Sequence, residues 1–195
     1  METWILPALL GVGLAAATGF RTFLPLLMLG LAAKFQLFGM ELADAMTWLD
    51  STPALIALGI ATFVELAADK IPAVDHFLSA IGTVIRPIAG AVAAGAAFSQ
   101  FDPMVAAIAG LIIGAPTALA FHAAQAGTRV VSTGTTAGLA NPFISVGEDI
   151  AAFVTALLAM LAPVLIPLVL AVMLFGLWQL WRFVRRPSVS RRPSS

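Results

Sequence analysis

Nine charged residues stand inside, or at the ends of, otherwise apolar stretches of this 195-residue chain: Arg21, Lys70, Arg86 and Arg129 against Glu65, Asp69, Asp75, Glu148 and Asp149. On insertion scales a charge at the centre of a membrane helix costs roughly 2.5 to 3.5 kcal/mol, so such residues face one another or a wet cavity. The near balance of sign predicts that they pair. A buried cluster of this kind can hold an anionic group on its arginines, or relay a proton along its carboxylates. Arg21 is the hardest to explain otherwise. Sixteen uncharged residues lead up to it from Ile5 and twelve follow it to Ala33, too many on either side for its head to reach water easily from a straight span.

Helical spacing groups the other charges. Glu65 and Asp69 are four apart and share a face, where like charges repel and call for a cation, a proton or a shared basic partner. Asp75, Ser79, Gly82 and Arg86 fall at i, i+4, i+7 and i+11, a single stripe on a regular helix, and His122, Gln125 and Arg129 form another. Polar stripes on three apolar helices imply a common polar interior. Several of these residues also have a plainer reading. Ser145-x-x-Glu148 is a capping box, so Ser145, Glu148 and Asp149 can serve a helix start as well as a cluster. Lys70 and Arg86 can mark the cytoplasmic interface. Asp102 reads as a cap, the two isolated histidines as hydrogen-bonding groups, and Gly110-x-x-x-Gly114 as a helix-packing face.

Other chemistries are excluded by what is missing. There is no cysteine for a disulfide, a thiolate metal site or a nucleophile. The Gly- and Thr-rich stretch from Gly127 lacks the G-x-x-x-x-G-K-[ST] order of a phosphate loop, and H-E-x-x-H is absent. No catalytic constellation is visible, so the chain does not read as an enzyme; an intramembrane enzyme acting on a lipid phosphate would need a nucleophile that is not apparent. No cofactor, metal or nucleic-acid partner is expected.

The elements that must position these charges follow from composition. With 61% hydrophobic residues, 10% charged and a mean hydropathy of +1.01, the chain reads as an all-α, polytopic integral membrane protein. About six hydrophobic helices are expected, with discontinuous or re-entrant segments. The first apolar segment, Trp4 to Lys34, carries Gly19, Arg21 and Pro25, which can break it into limbs of about 14 and 12 residues, each too short to span. It lacks a basic n-region and is expected to stay in place as a segment, not to act as a cleaved signal. Ser51 or Thr52 caps a second helix with Pro53 in its first turn, and Pro72 starts a third, which Pro87 is expected to kink. Asp102-Pro103 opens a fourth, from Met104 to about Ala126. A connection of about 15 residues, "GTRVVSTGTTAGLANP", follows. Pro163 and Pro167 are expected to split the last apolar run, Ile150 to Phe183.

Trp178, Trp181 and Arg182, with Arg185 and Arg186, resemble an interfacial belt. The basic tail, which continues to Arg191 and Arg192, places the C-terminus in the cytoplasm. Six spans then put the N-terminus on the same side, with the connections holding Lys70, Arg86 and Arg129, and put the acidic loop Glu41 to Asp50 outside. Residues 1–184 are expected to form one transmembrane helical domain and 185–195 a basic, disordered cytoplasmic tail.

In order along the chain, "GFRTFLPLL", "ELAADKIPAVDHFLSAIGTVIRPIAGA" and "AGTRVVSTGTTAGLANPFISVGED" resemble the bacterial membrane family catalogued as domain of unknown function 4126, over about residues 5 to 160. The resemblance implies a class, at the bacterial inner membrane, and carries no activity to transfer. It highlights Gly19, Arg21, Pro25, Glu65, Asp69, Lys70, Pro72, Asp75, Arg86, Pro87, Arg129, Asn141, Pro142, Ser145, Glu148 and Asp149. A shorter likeness, "GFRTFLPLLMLG", is similar to a segment of the DedA family, linked to flipping of polyprenyl-phosphate and phospholipid carriers through re-entrant helices. The expected function is a small transporter or lipid flippase-like protein that binds an anionic lipid or small anion at Arg21, assisted by Arg129 and Arg86. The alternative is a membrane scaffold or accessory subunit whose ion pairs lock helix packing.

Overall fold

The computed structural model describes residues 4–42, 44–69 and 72–184. Among them the fold is all-α, with eight α-helices: α1 (Ile5–Phe20), α2 (Leu24–Lys34), α3 (Thr52–Ala68), α4 (Pro72–Ala96), α5 (Pro103–Ala109), α6 (Ala115–Thr136), α7 (Asn141–Leu161) and α8 (Ile166–Val184). Short 3-10 turns at Leu37–Gly39 and Asp44–Asp50 link α2 to α3. The chain beyond 184, with Arg185, Arg186, Arg191 and Arg192, lies outside the described residues, as do Lys70 and the side chains of Asp75 and Trp181.

The first apolar segment is broken where Gly19, Arg21 and Pro25 cluster. Arg21 leaves the helix in an extended conformation (φ −134°, ψ 116°), and α2 restarts at Leu24 with Pro25 in its first turn, where a missing N–H does no harm. Two caps read from the sequence are formed. Ser51 Oγ accepts from the Ala54 amide at 3.3 Å, and Asp102 Oδ1 from the Met104 amide at 2.9 Å. α5 and α6 are one continuous rod joined by a π-helical turn, Gly110–Gly114. α4 runs through Pro87 without ending, and α7 stops ahead of Pro163, with a 3-10 turn leading into α8.

The expected 15-residue connection after Gly127 is instead helix. α6 continues to Thr136, and only residues 137–140 turn the chain, with Ala137 and Gly138 left-handed (φ 53° and 84°). Thr128, Thr135 and Thr136 keep the stretch helical by donating their hydroxyls to the carbonyls of Ala124, Val131 and Ser132 at 2.8–3.0 Å. The hydroxyls that usually compete with a helix are thereby satisfied within it. Ser145 and Glu148 accordingly lie inside α7, which begins at Asn141, and make no capping box.

α1 is the central element, packed against α4, α6 and α7. Its contact face is mostly small: Leu14, Ala15, Ala16 and Ala17 are fully buried. Small residues also let α4 and the π turn meet backbone to backbone. A Cβ on Gly114 would lie 2.1 Å from the Gly90 carbonyl oxygen and one on Gly110 2.4 Å from that of Ala91, so the Gly110/Gly114 pair is the packing face that its spacing suggests. Charged and polar side chains share the interior with an apolar core, and many large apolar side chains lie outside. Alanine, arginine, glutamate and glutamine are inside, whereas Ile56, Ile60, Phe63, Leu111, Ile112, Phe143 and Leu168 are outside, each more than half exposed. Pro103–Thr136 and Asn141–Leu161 are long and apolar enough to cross a membrane, by length and composition.

Candidate functional site

The break between α1 and α2 is where the charges meet. Arg21 is completely buried, and its guanidinium makes four hydrogen bonds: Nε to Asp149, Nη1 to Asp69, and Nη2 to both the carbonyl and the hydroxyl of Ser145, at 3.2 and 3.0 Å. Glu148 stands 3.9 Å from the same Nη2. Arg129, from α6, donates to Asp69 at 2.9 Å and to Glu148 at 2.7 Å. Asp69 terminates α3, an end where the helix dipole disfavours an anion, and two guanidinium groups offset that penalty. Gln125 extends the network by donating to Glu148 at 2.7 Å.

A second half of the cluster stitches the broken helix. Glu65 accepts the backbone N–H groups of Thr22 and Phe23, at 2.9 and 3.2 Å, placing a carboxylate at the N-terminus of α2, where free amides and dipole both favour one. On the other side of the break, Arg86 Nη1 donates to the carbonyl of Gly19 at 2.7 Å, one of the last carbonyls of α1. The same nitrogen is bonded to Gln125 and lies 2.8 Å from His122 Nδ1, while His122 Nε2 meets the Thr83 hydroxyl at 3.2 Å. Arg86 and Glu65 are themselves 3.8 Å apart. Each end of the broken helix is thus held by a charge of the favourable sign, and the two charges face one another.

Seven of the nine sequence candidates, Arg21, Glu65, Asp69, Arg86, Arg129, Glu148 and Asp149, are brought together; Lys70 and the Asp75 side chain lie outside the described residues. Arg86 and Arg129 sit within α4 and α6, not in connections, and Arg86 is only 5% exposed, so it is no interfacial topology marker. Ser145, which the sequence offers both as a cap and as a member of the highlighted set, is a ligand of Arg21. Its part as a ligand to Arg21 depends on α7 starting five residues earlier than the capping box implies. The backbone amides beside Arg21, which anchor Glu65, carry no sequence signal beyond the break itself. Among the described residues no group of His, Asp and Glu has a metal-holding arrangement.

Beside the cluster a cavity of about 500 Å³ opens between α3, α4 and the start of α2. Ile60, Val64, Ile81 and Ile85 supply apolar wall, and Glu65, Asp69 and Arg86 supply charge. A smaller cavity, about 230 Å³, is lined by Leu6, Met40, Glu41, Gln100 and Pro163 among others, and by none of the nine charged residues.

The family model described as Domain of unknown function (DUF4126) matches residues 8–183. No curated protein and no solved structure matches the chain.

Proposed function

The chain belongs to the DUF4126 family, and from that premise we propose that it is a small membrane carrier, transporter-like or flippase-like, for an anionic solute or lipid. The observation that carries this reading is the broken helix at Arg21, whose two ends converge with three arginines and four carboxylates beside a cavity that is otherwise apolar. Discontinuous helices with charges at the break are a recurring construction for substrate sites in transporters. The apolar exterior supports a lipid surrounding. At about 1.5 Å per residue, α1 and α2 reach only about 24 and 16 Å, short of a hydrocarbon core of about 30 Å, as expected of half-helices meeting at a site inside the bilayer. On this reading the membrane is the bacterial inner membrane, with the C-terminus cytoplasmic.

A second reading has its own support. Four of the five N–H groups of Arg21 are taken by protein acceptors, as in a scaffold or accessory subunit whose ion pairs fix helix packing. Reconstitution separates the two. Fluorescent phosphatidic acid in proteoliposomes, read by dithionite protection, should cross faster than in protein-free vesicles, and folded cluster variants should lose that rate. A rate equal to that of empty vesicles, together with charge-swapped Asp69→Arg/Arg129→Asp protein that regains stability, would favour the scaffold.

A further inference from the structure

Of the three clustered arginines, Arg21 has no edge to offer a ligand, because protein oxygens already occupy Nε, Nη1 and Nη2. Arg86 differs. Its Nη1 carries its contacts to Gly19, His122 and Gln125. Nη2 has only Glu65 at 3.8 Å, beyond hydrogen-bond reach, and Nε has no partner although it is buried. A buried, unpaired N–H on a charged group is costly and rare, and it calls for an explanation. The residue one turn earlier is glycine. A Cβ on Gly82 would sit 3.1 Å from Nε, and Gly82 and Arg86 both line the 500 Å³ cavity. The missing side chain spares Nε a methyl group that would crowd it.

Nε–H and one N–H of Nη2 project in parallel from the same edge of a guanidinium, a fork matched to two oxygens of a carboxylate or phosphate. Besides Arg86 itself, Thr22, Glu65 and Asp69, the cavity wall is apolar, and its Ile60, Val64, Ile81 and Ile85 offer a good deal to a hydrocarbon chain. We infer that an oxyanion headgroup carried on an apolar chain docks side-on against the Nε and Nη2 edge of Arg86, with its chain between α3 and α4. Glu65, the nearest negative group, does not bar it. Its charge is held by the amides at the start of α2, which leaves the Arg86 edge to the incoming oxyanion. This deepens the anionic-cargo reading and rests on it. Arg21, with Asp149, then frames the site without touching the cargo, and the charge of Asp69 on the cavity wall is held by Arg21 and Arg129.

The test uses full-length protein in phosphatidylcholine nanodiscs, with radiolabelled dodecyl phosphate as the probe and dodecanoate, inorganic phosphate and dodecanol as competitors. Dodecyl phosphate should bind and dodecanoate should displace it, whereas inorganic phosphate and dodecanol should each compete about 100-fold more weakly, lacking chain or charge. Gly82→Ala, which keeps Arg86 and all its Nη1 bonds, and Arg86→Lys, which keeps the charge and loses the fork, should each weaken binding about tenfold or more. Wild-type affinity in both variants, at wild-type melting temperature, would overturn the Arg86 assignment and leave the anionic-cargo reading standing. Inorganic phosphate competing as well as the amphiphile would overturn the chain-bearing ligand. Wild-type protein that binds no anionic probe would sink both readings.

Discussion

Replacing Arg21 with methionine removes the guanidinium while keeping a side chain of similar reach, so the consequence is electrostatic and not that of a large cavity. Arg21 is fully buried and spends four hydrogen bonds, two on carboxylates and two on Ser145. After the change, two arginines remain among four carboxylates. Asp69, whose side chain is only 3% exposed, keeps Arg129 as its basic partner. Deleting one member of a buried ion pair typically costs about 3–5 kcal/mol, because the other charge stays desolvated, whereas replacing both members by apolar groups is often close to neutral. Arg21→Met should therefore lose about 3–5 kcal/mol, and Arg21→Met/Asp69→Leu should recover most of that loss. Unfolding of each protein in mixed micelles by titration with dodecyl sulfate, followed by tryptophan fluorescence, gives the cycle. A loss below about 1 kcal/mol for the single variant, or a double variant that simply adds the two single losses, would refute the claim that Arg21 and Asp69 form one buried unit.

Three further outcomes are expected. Gly114→Val drives a side chain against the Gly90 carbonyl, 2.1 Å from where its Cβ must go, and should lower stability by about 1–3 kcal/mol or more in the same unfolding assay. Glu65→Ala strips the acceptor from the Thr22 and Phe23 amides, costing about 1–3 kcal/mol. It also opens the N-terminus of α2 to anions, so added phosphate should raise the melting temperature of the variant more than that of the wild type; equal responses would contradict the capping role. Ser145→Ala removes one acceptor of Arg21 and should cost about 1.5–3 kcal/mol by thermal melting, the range for a hydrogen bond to a charged group.

The sequence shows the break and the charge cluster well because both are local signals. Gly19, Arg21 and Pro25 fall within seven residues of an apolar run, and Glu65 with Asp69, or Gln125 with Arg129, share a helix face by spacing alone. Which charge meets which was not readable. Arg21 reaches Asp149 across 128 positions and Asp69 across 48, and such choices are made by how α1, α3 and α7 pack. The stretch from Gly127 misleads for a different reason. Glycine and threonine are poor helix formers by intrinsic preference, yet the threonine hydroxyls close on the helix itself and Arg129 needs that rod to reach Asp69 and Glu148. The contrast between an Arg21 bonded to protein at all three nitrogens and an Arg86 with an unspent edge likewise exists only in three dimensions. It shifts the candidate ligand contact from the most conspicuous arginine to one that the sequence presents as a stripe residue.

Native mass spectrometry of the protein extracted from its own membrane tests the central claim most directly. The account predicts a retained adduct with the mass of a lipid bearing a phosphate or carboxylate on the wild type, and its loss from folded Arg86→Lys protein. Wild-type protein that emerges bare, or that holds only zwitterionic lipid to the same extent as the variant, would contradict it.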